Sequence, residues 1–358
     1  MDEDCLKLTT YFGERDRTQD GLLTDALLDI YGGHRLQASI LLRGAEGFGR
    51  LHHLHTDRLL SLSEDLPLVS VAVDRRERIE SMLEPILQIK RRGLITLERA
   101  RMLSGAIGSV TPAEKVGEEA KLTVFVGRQA RAAGQPAFVA VCELLHRRGV
   151  AGATTLVGVD GTSRGRRKRA AFFSRNADVP LMITAVGPGE RIAGVLPELG
   201  ELLQDPLMTL ERVRVCKRDG ELLLTPHELP GTDEHGLALW QKLIVYSSES
   251  ATYEGHPLHL AIIRRLRESD AAGATSLRGI WGFHGAHPPH GDRLLQIRRH
   301  VPVVTIVVDT PAGIARSFAI VDEVTREHGL VTSEMVPAMS ALSESEQHGG
   351  LRLARHDY

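Results

Sequence analysis

The chain has 358 residues, 25% of them charged, 42% hydrophobic and only 4% aromatic, with a formal net charge of −2. This composition fits a soluble globular protein of two or three domains, and the near-neutral balance argues against a nucleic-acid partner for the molecule as a whole. Three scattered cysteines (Cys5, Cys142, Cys216) form neither a disulfide framework nor a zinc spacing, the acidic start MDEDCLKL lacks a signal-peptide pattern, and no apolar run is long enough to cross a bilayer; a cytoplasmic location is expected.

In chain order, residues 6–12 (LKLTTYF) read as a strand. Residues 21–31 follow as a helix, with Leu23, Ala26, Leu27 and Ile30 at helical spacing. A second strand is expected over 36–42, then a polar loop rich in glycine and histidine over 43–57, then a third strand over 68–73. Asp74 and Glu77 form a D-x-x-E capping box before a second helix that places Ile79, Met82, Leu83, Ile86 and Leu87 on one side. Residues 94–97 begin a fourth strand. The order β-α-β-β-α-β is that of a ferredoxin-like α+β unit.

That order recurs. HTDRLL at 55–60 returns as HGDRLL at 290–295, and RGAEGFG at 43–49 returns as RGIWGF at 278–283, both 235 positions on. A Lys-Leu pair marks three first strands, at Lys7, Lys121 and Lys242, and a glycine follows 37 positions later each time, at Gly44, Gly158 and Gly279. The chain therefore reads as three diverged copies of one module, at 4–108, 118–216 and 238–341. The connectors at 104–119 and 217–236 read as exposed, and the tail at 342–358 shows no periodic core. In copy three, Pro311 falls in the first helical turn, where its missing N–H has no partner to lose. The third strands of copies one and three (Leu68 to Val73; VPVVTIVV) are apolar on both faces, so both faces should be covered. Helices cover one. The other copies cover the second if the three modules close into an intramolecular pseudo-trimer, complete in a monomer.

The element order, the long loop after the second strand and the number three resemble the PII signalling superfamily. LLRGAEGFGR and EDLPLVSVAVD carry the resemblance. It is closer still to the uncharacterised PII-like branch called domain of unknown function 190, through YFGERDR, HTDRLLSLSEDLP, GLITLERARM and, in copy two, LMTLERVRV. The resemblance implies a sensor without catalysis. A small-molecule effector, an adenine nucleotide in PII proteins, would bind between modules, and the long loops would act on a target protein such as a membrane transporter or channel. Carried over by position, the loop base is Arg43, Gly44, Gly47, Phe48 and Gly49 in copy one, and Arg278, Gly279, Gly282 and Phe283 in copy three. The sequence departs from the pattern before the fourth strand, where the glycine-rich phosphate turn is shortened to QIKRRG. Lys90, Arg91 and Arg92 remain there to hold an anion by charge.

Further candidates stand in the loops. His55 and Arg58, and His290 and Arg293, either face a ligand or brace a loop-to-strand junction. Histidines cluster at 52, 53 and 55 and at 284, 287 and 290, and His53, His55, His287 and His290 give a second reading as a metal-binding or metal-homeostasis protein. The run SRGRRKR at 163–169 suits an anionic partner or plain solvent. No catalytic set or P-loop is visible, and Glu14 and Glu98 read as members of structural ion pairs or polar junctions. The first reading is a regulator with no chemistry of its own.

Overall fold

The structure is a computed structural model, which describes residues 2–49, 55–56, 65–104, 118–163, 166–167, 179–203, 206–285, 288–291, 301–343 and 346–356. The first module runs β1 (Asp2–Gly13), α1 (Leu23–Gly33), β2 (Ala38–Phe48), β3 (Pro67–Arg75), α2 (Arg76–Ile89) and β4 (Gly93–Ser104). The second runs β5 (Glu119–Gly127), α3 (Ala137–Arg147), β6 (Gly152–Ser163), β7 (Pro180–Pro188), α4 (Gly189–Leu203), β8 (Leu207–Arg212) and β9 (Arg214–Arg218). The third runs β10 (Trp240–Ser248), α5 (Leu258–Glu268), β11 (Ala274–His284), β12 (Pro302–Asp309), α6 (Pro311–Val324), β13 (Leu330–Val336) and β14 (Ala338–Leu342), with β15 (Gln347–Gly350) after it.

In the first module β1 lies between β3 and β4, and β2 flanks β3, with every pairing antiparallel. The same order holds in the second module and in the third. Alternation along β1 explains how one strand serves two cores. Leu6, Leu8 and Phe12 face the helices, where Leu27, Tyr31, Ile79, Met82 and Ile86 bury their side chains. Cys5 and Tyr11 face the opposite way, into a second cluster with Ile40, Val71, Leu156, Met182 and Leu277, which draws on all three modules. Each fully buried aliphatic side chain contributes roughly 1.5–3 kcal/mol, and the second cluster forms only when the modules meet.

Two cycles of strand pairing join the modules. The end of β4 pairs with β8, β9 pairs with β13, and β14 pairs with the start of β4. The second strands do likewise: β2 with β6, β6 with β11, and β11 with β2. The result is one continuous sheet whose module edges are paired with one another.

Three sequence expectations change. The second strand does not stop at residue 42. It runs to Phe48, because the stretch expected to open the loop is paired with β11. Asp74 does not cap α2, whose N-cap is Arg75 without a side-chain bond; its buried carboxylate accepts the Gln37 N–H at 2.8 Å instead. The tail is packed: β15 pairs with β14, Leu351 and Leu353 lie on the first module's core, and the Ala354 carbonyl accepts from Arg99 at 2.9 Å. Pro311 does open α6, capped by Thr310, whose hydroxyl accepts the Gly313 N–H at 3.1 Å. No helix among the described residues is long and apolar enough to cross a membrane.

Candidate functional site

The resemblance places a ligand at the base of each long loop. The structure puts the glycines of that base inside strand junctions. A Cβ on Gly44 would lie 2.9 Å from the Pro67 carbonyl oxygen, and one on Gly47 would lie 2.8 Å from that of Ala274. In the third module Gly279 meets the Thr155 carbonyl oxygen at 2.9 Å and Gly282 that of Ala153 at 2.3 Å. The second module has the same pair, Gly158 and Gly161, pressed against β2 and Pro180. These glycines let the backbones of neighbouring second strands approach. Gly49 differs: among the described residues nothing lies within 4 Å of its Cβ position.

Phe48 and Phe283 are also turned inward. Phe48 is buried in the third module's core and Phe283 in the second's, where it meets the His146 ring edge-on at 5.0 Å. Each is a plug across a module boundary. The matching position in the second module is Thr162, whose hydroxyl lies 2.9 Å from that of Ser39. Arg43 pairs with Glu14 at 2.7 Å and Arg278 with Glu249 at 3.3 Å, so the ion pair expected of Glu14 is present.

The turn before β4 divides its three basic residues. Lys90 is buried, and its ammonium donates to the carbonyls of Tyr11 at 2.9 Å and Arg92 at 2.6 Å. Burial pushes its pKa down to about 7, with Asp16 pulling the other way. Lys90 therefore braces the turn. Arg91 and Arg92 stand exposed beside it. Of the histidine set, His53 and His287 lie outside the described residues, as do Arg58 and Arg293; His55 is described only in its main chain, paired with Gly47. His290 pairs with Gly282, and its Nδ1 lies 3.0 Å from the Pro288 carbonyl oxygen.

The densest chemistry lies where the three modules meet. Lys7, Lys121 and Lys242 occupy matching positions of β1, β5 and β10, and Glu98, Glu211 and Glu334 stand on the last strands β4, β8 and β13. All six are buried. They alternate in a closed ring. Lys7 bridges Glu98 (3.0 Å) and Glu211; Lys121 bridges Glu211 (3.1 Å) and Glu334; Lys242 bridges Glu334 (2.9 Å) and Glu98. Three positive and three negative charges cancel, which makes the burial tolerable. Burial pushes Glu98 and Glu334 up, but the surrounding lysines outweigh it and hold both carboxyls below the usual range. Burial likewise lowers Lys7 and Lys242, and the glutamates outweigh it there and raise both. At Lys121 burial prevails and the pKa falls.

The carboxylates approach within 4.8 Å of one another, a spacing open to a cation. The three ammoniums already fill their charge. On one side of the ring lies a cavity of about 70 Å³ of water-accessible volume, lined by the three lysines, by Thr9, Thr123 and Thr184, and by apolar and aromatic side chains of all three modules. Sequence reasoning expected an ion pair of Glu98, which is present, but missed the ring to which it belongs. Its signal was present in the lysine that recurs in each first strand and in the Glu98 and Glu211 of two similar LER segments.

Comparison with known proteins agrees with the threefold repeat. The sequence model of the family DUF190, described as “Uncharacterized ACR”, matches residues 5–102, 119–215 and 240–338. The chain is similar to a UPF0166 protein of Aquifex aeolicus (strain VF5), 32% identical over 95 residues, which are 26% of this chain and 88% of that protein. Among solved structures, the crystal structure of aspartate kinase from Synechocystis aligns over 95% of this chain and 45% of its own length, at 9% identity and a TM-score of 0.26, which bears on neither fold nor function.

Proposed function

The chain belongs to the DUF190 family, once in each of its three modules, and from that premise we propose that it is a PII-like regulator without catalysis of its own. In this reading it is a cytoplasmic monomer, an intramolecular pseudo-trimer of ferredoxin-like modules. The strand order common to the modules and the two cycles of pairing support that architecture. It senses a small molecule between modules, an adenine nucleotide being the first candidate, and acts through its long loops on a target protein such as a membrane transporter or channel.

One observation carries the reading. Each second strand leads into a long connection to the third strand and is also paired with the second strands of both neighbours. Loop base and module junction thus share one backbone. A ligand that binds one junction geometry better than another biases the loop by that difference in affinity. Arg91 and Arg92 are exposed cations beside β4, where a phosphate would meet them. Thermal-shift titration with ATP, ADP and AMP tests this. A nucleotide at a hundred times its Kd adds about 2.7 kcal/mol of stability. The expected result is a saturable rise in Tm that is lost in the Arg91→Ala/Arg92→Ala variant. No rise with any nucleotide, or a rise unaffected by the variant, removes nucleotide sensing at this turn.

A further inference from the structure

Lysine carries three N–H donors on its ammonium. Each of the Lys7, Lys121 and Lys242 ammoniums lies against two ring carboxylates, and among the described residues no third acceptor is paired with any of the three. The lysines line the axial cavity and the glutamates do not. The lysines are therefore the charged side chains that border the cavity, one from each module. Behind them the walls turn apolar: Tyr11, Phe125 and Ile306 are among the lining side chains.

We propose that this cavity is a binding site for a small carboxylate, with its oxygens on the three lysine N–H groups and its hydrocarbon body against Tyr11 and Phe125. A carboxylate offers about four lone-pair sites, enough for three donors. The ring is already neutral, so a single added charge is buried at lower cost than the two of a phosphate. A water needs about 10–15 Å³ of such volume, so 70 Å³ holds roughly five water-sized groups, the bulk of a short aliphatic acid. The site touches all three modules and does not rest on the nucleotide reading, whose residues lie at the turn before β4.

The third module shows how to close the cavity without touching the ring. Two positions after each lysine stand Thr9, Thr123 and Ile244, and all three line the cavity. Isoleucine is thus accommodated in this layer, and Thr9→Ile with Thr123→Ile fills the space the carboxylate would take. The full chain is titrated with sodium acetate, butyrate and benzoate against sodium chloride of equal ionic strength, with Tm as readout. The expected result is a saturable rise with at least one carboxylate, abolished by T9I/T123I and kept by the Arg91→Ala/Arg92→Ala variant. No saturable rise in the wild type, or an equal rise in T9I/T123I, overturns the site. Should T9I/T123I fail to fold, carboxyl-¹³C butyrate with the wild-type protein decides. A shifted or broadened carboxyl resonance supports the site, and an unperturbed line overturns it.

Discussion

The axis and the loop bases are made from matching positions of the same three modules, yet they have diverged very differently. At the axis each module supplies one lysine and one glutamate, and all six are in place. At the loop bases, modules one and three keep an arginine–glutamate pair, Arg43 with Glu14 and Arg278 with Glu249, while the second module has Val157 and Arg128 at those positions. The physical difference is the surrounding medium. Arg43 is half exposed, so water takes over when its partner is lost. A ring member is buried, and its loss leaves an opposite charge unmatched where water cannot follow. At these two places the modules differ where water reaches the charge and agree where it does not.

The sharpest way to break this contrast is to remove one charge from the ring. Lys121→Met leaves Glu211 and Glu334 each with one lysine in place of two. It should cost about 3–5 kcal/mol, measured by urea unfolding. A loss below about 1 kcal/mol, the range of an exposed pair, would mean that the ring is as well hydrated as the loop bases.

The junction glycines come next. Gly282→Ala puts a Cβ 2.3 Å from the Ala153 carbonyl oxygen, a backbone atom that moves only with β6. A cost of about 1–3 kcal/mol is expected for such overpacking. Gly49→Ala, with no described residue near its Cβ, should stay within about 0.5 kcal/mol. Equal effects at the two positions would return both glycines to the loop.

The last effect is a slope, at most about 1.4 kcal/mol per pH unit. Lys90 has a folded pKa of about 7 against an ordinary 10.5. Between those values the unfolded chain holds the proton and the folded chain does not, so this residue makes stability rise with pH from about 7 to 10.5 and leaves it level below. Denaturation midpoints of the wild type should gain on those of Lys90→Met across that window. Parallel pH profiles would show that the Lys90 ammonium stays charged in the fold.

The repeat made the fold legible. Lysines in register at 7, 121 and 242, and third strands apolar on both faces, required three units with a second cover. Element ends were less legible where tertiary pairing decides them. Residues 43–48 look like a loop by composition and are strand because β11 lies beside them. Asp74 has the spacing of a cap, but its carboxylate is taken by the Gln37 N–H, a contact that β-sheet register creates. The glycines at 44, 47, 279 and 282 were visible as a motif and open to a phosphate reading. Their spacing of three recurs as Gly158 and Gly161 in the second module, whose loop resembles the family least. The axial ring was hidden for a different reason. Its glutamates follow their own lysines by 91, 90 and 92 positions, while Lys7 and Glu211 are 204 apart, and periodicity carries no information on which strands converge.

The cyclic strand pairing also sets a timetable for the growing polypeptide. Residues 93–97 find one of their two neighbours only when residues 338–342 have been made, about 240 codons later. At 5–20 residues per second that interval is on the order of 10–50 s. Throughout it the first module has left the ribosome with an unpaired strand edge, the kind of surface on which nascent chains stick to one another. This contact joins the most distant segments paired in the sheet. Closure is therefore a late and slow step, and a ribosome that stalls in the third module releases a chain with that edge unpaired.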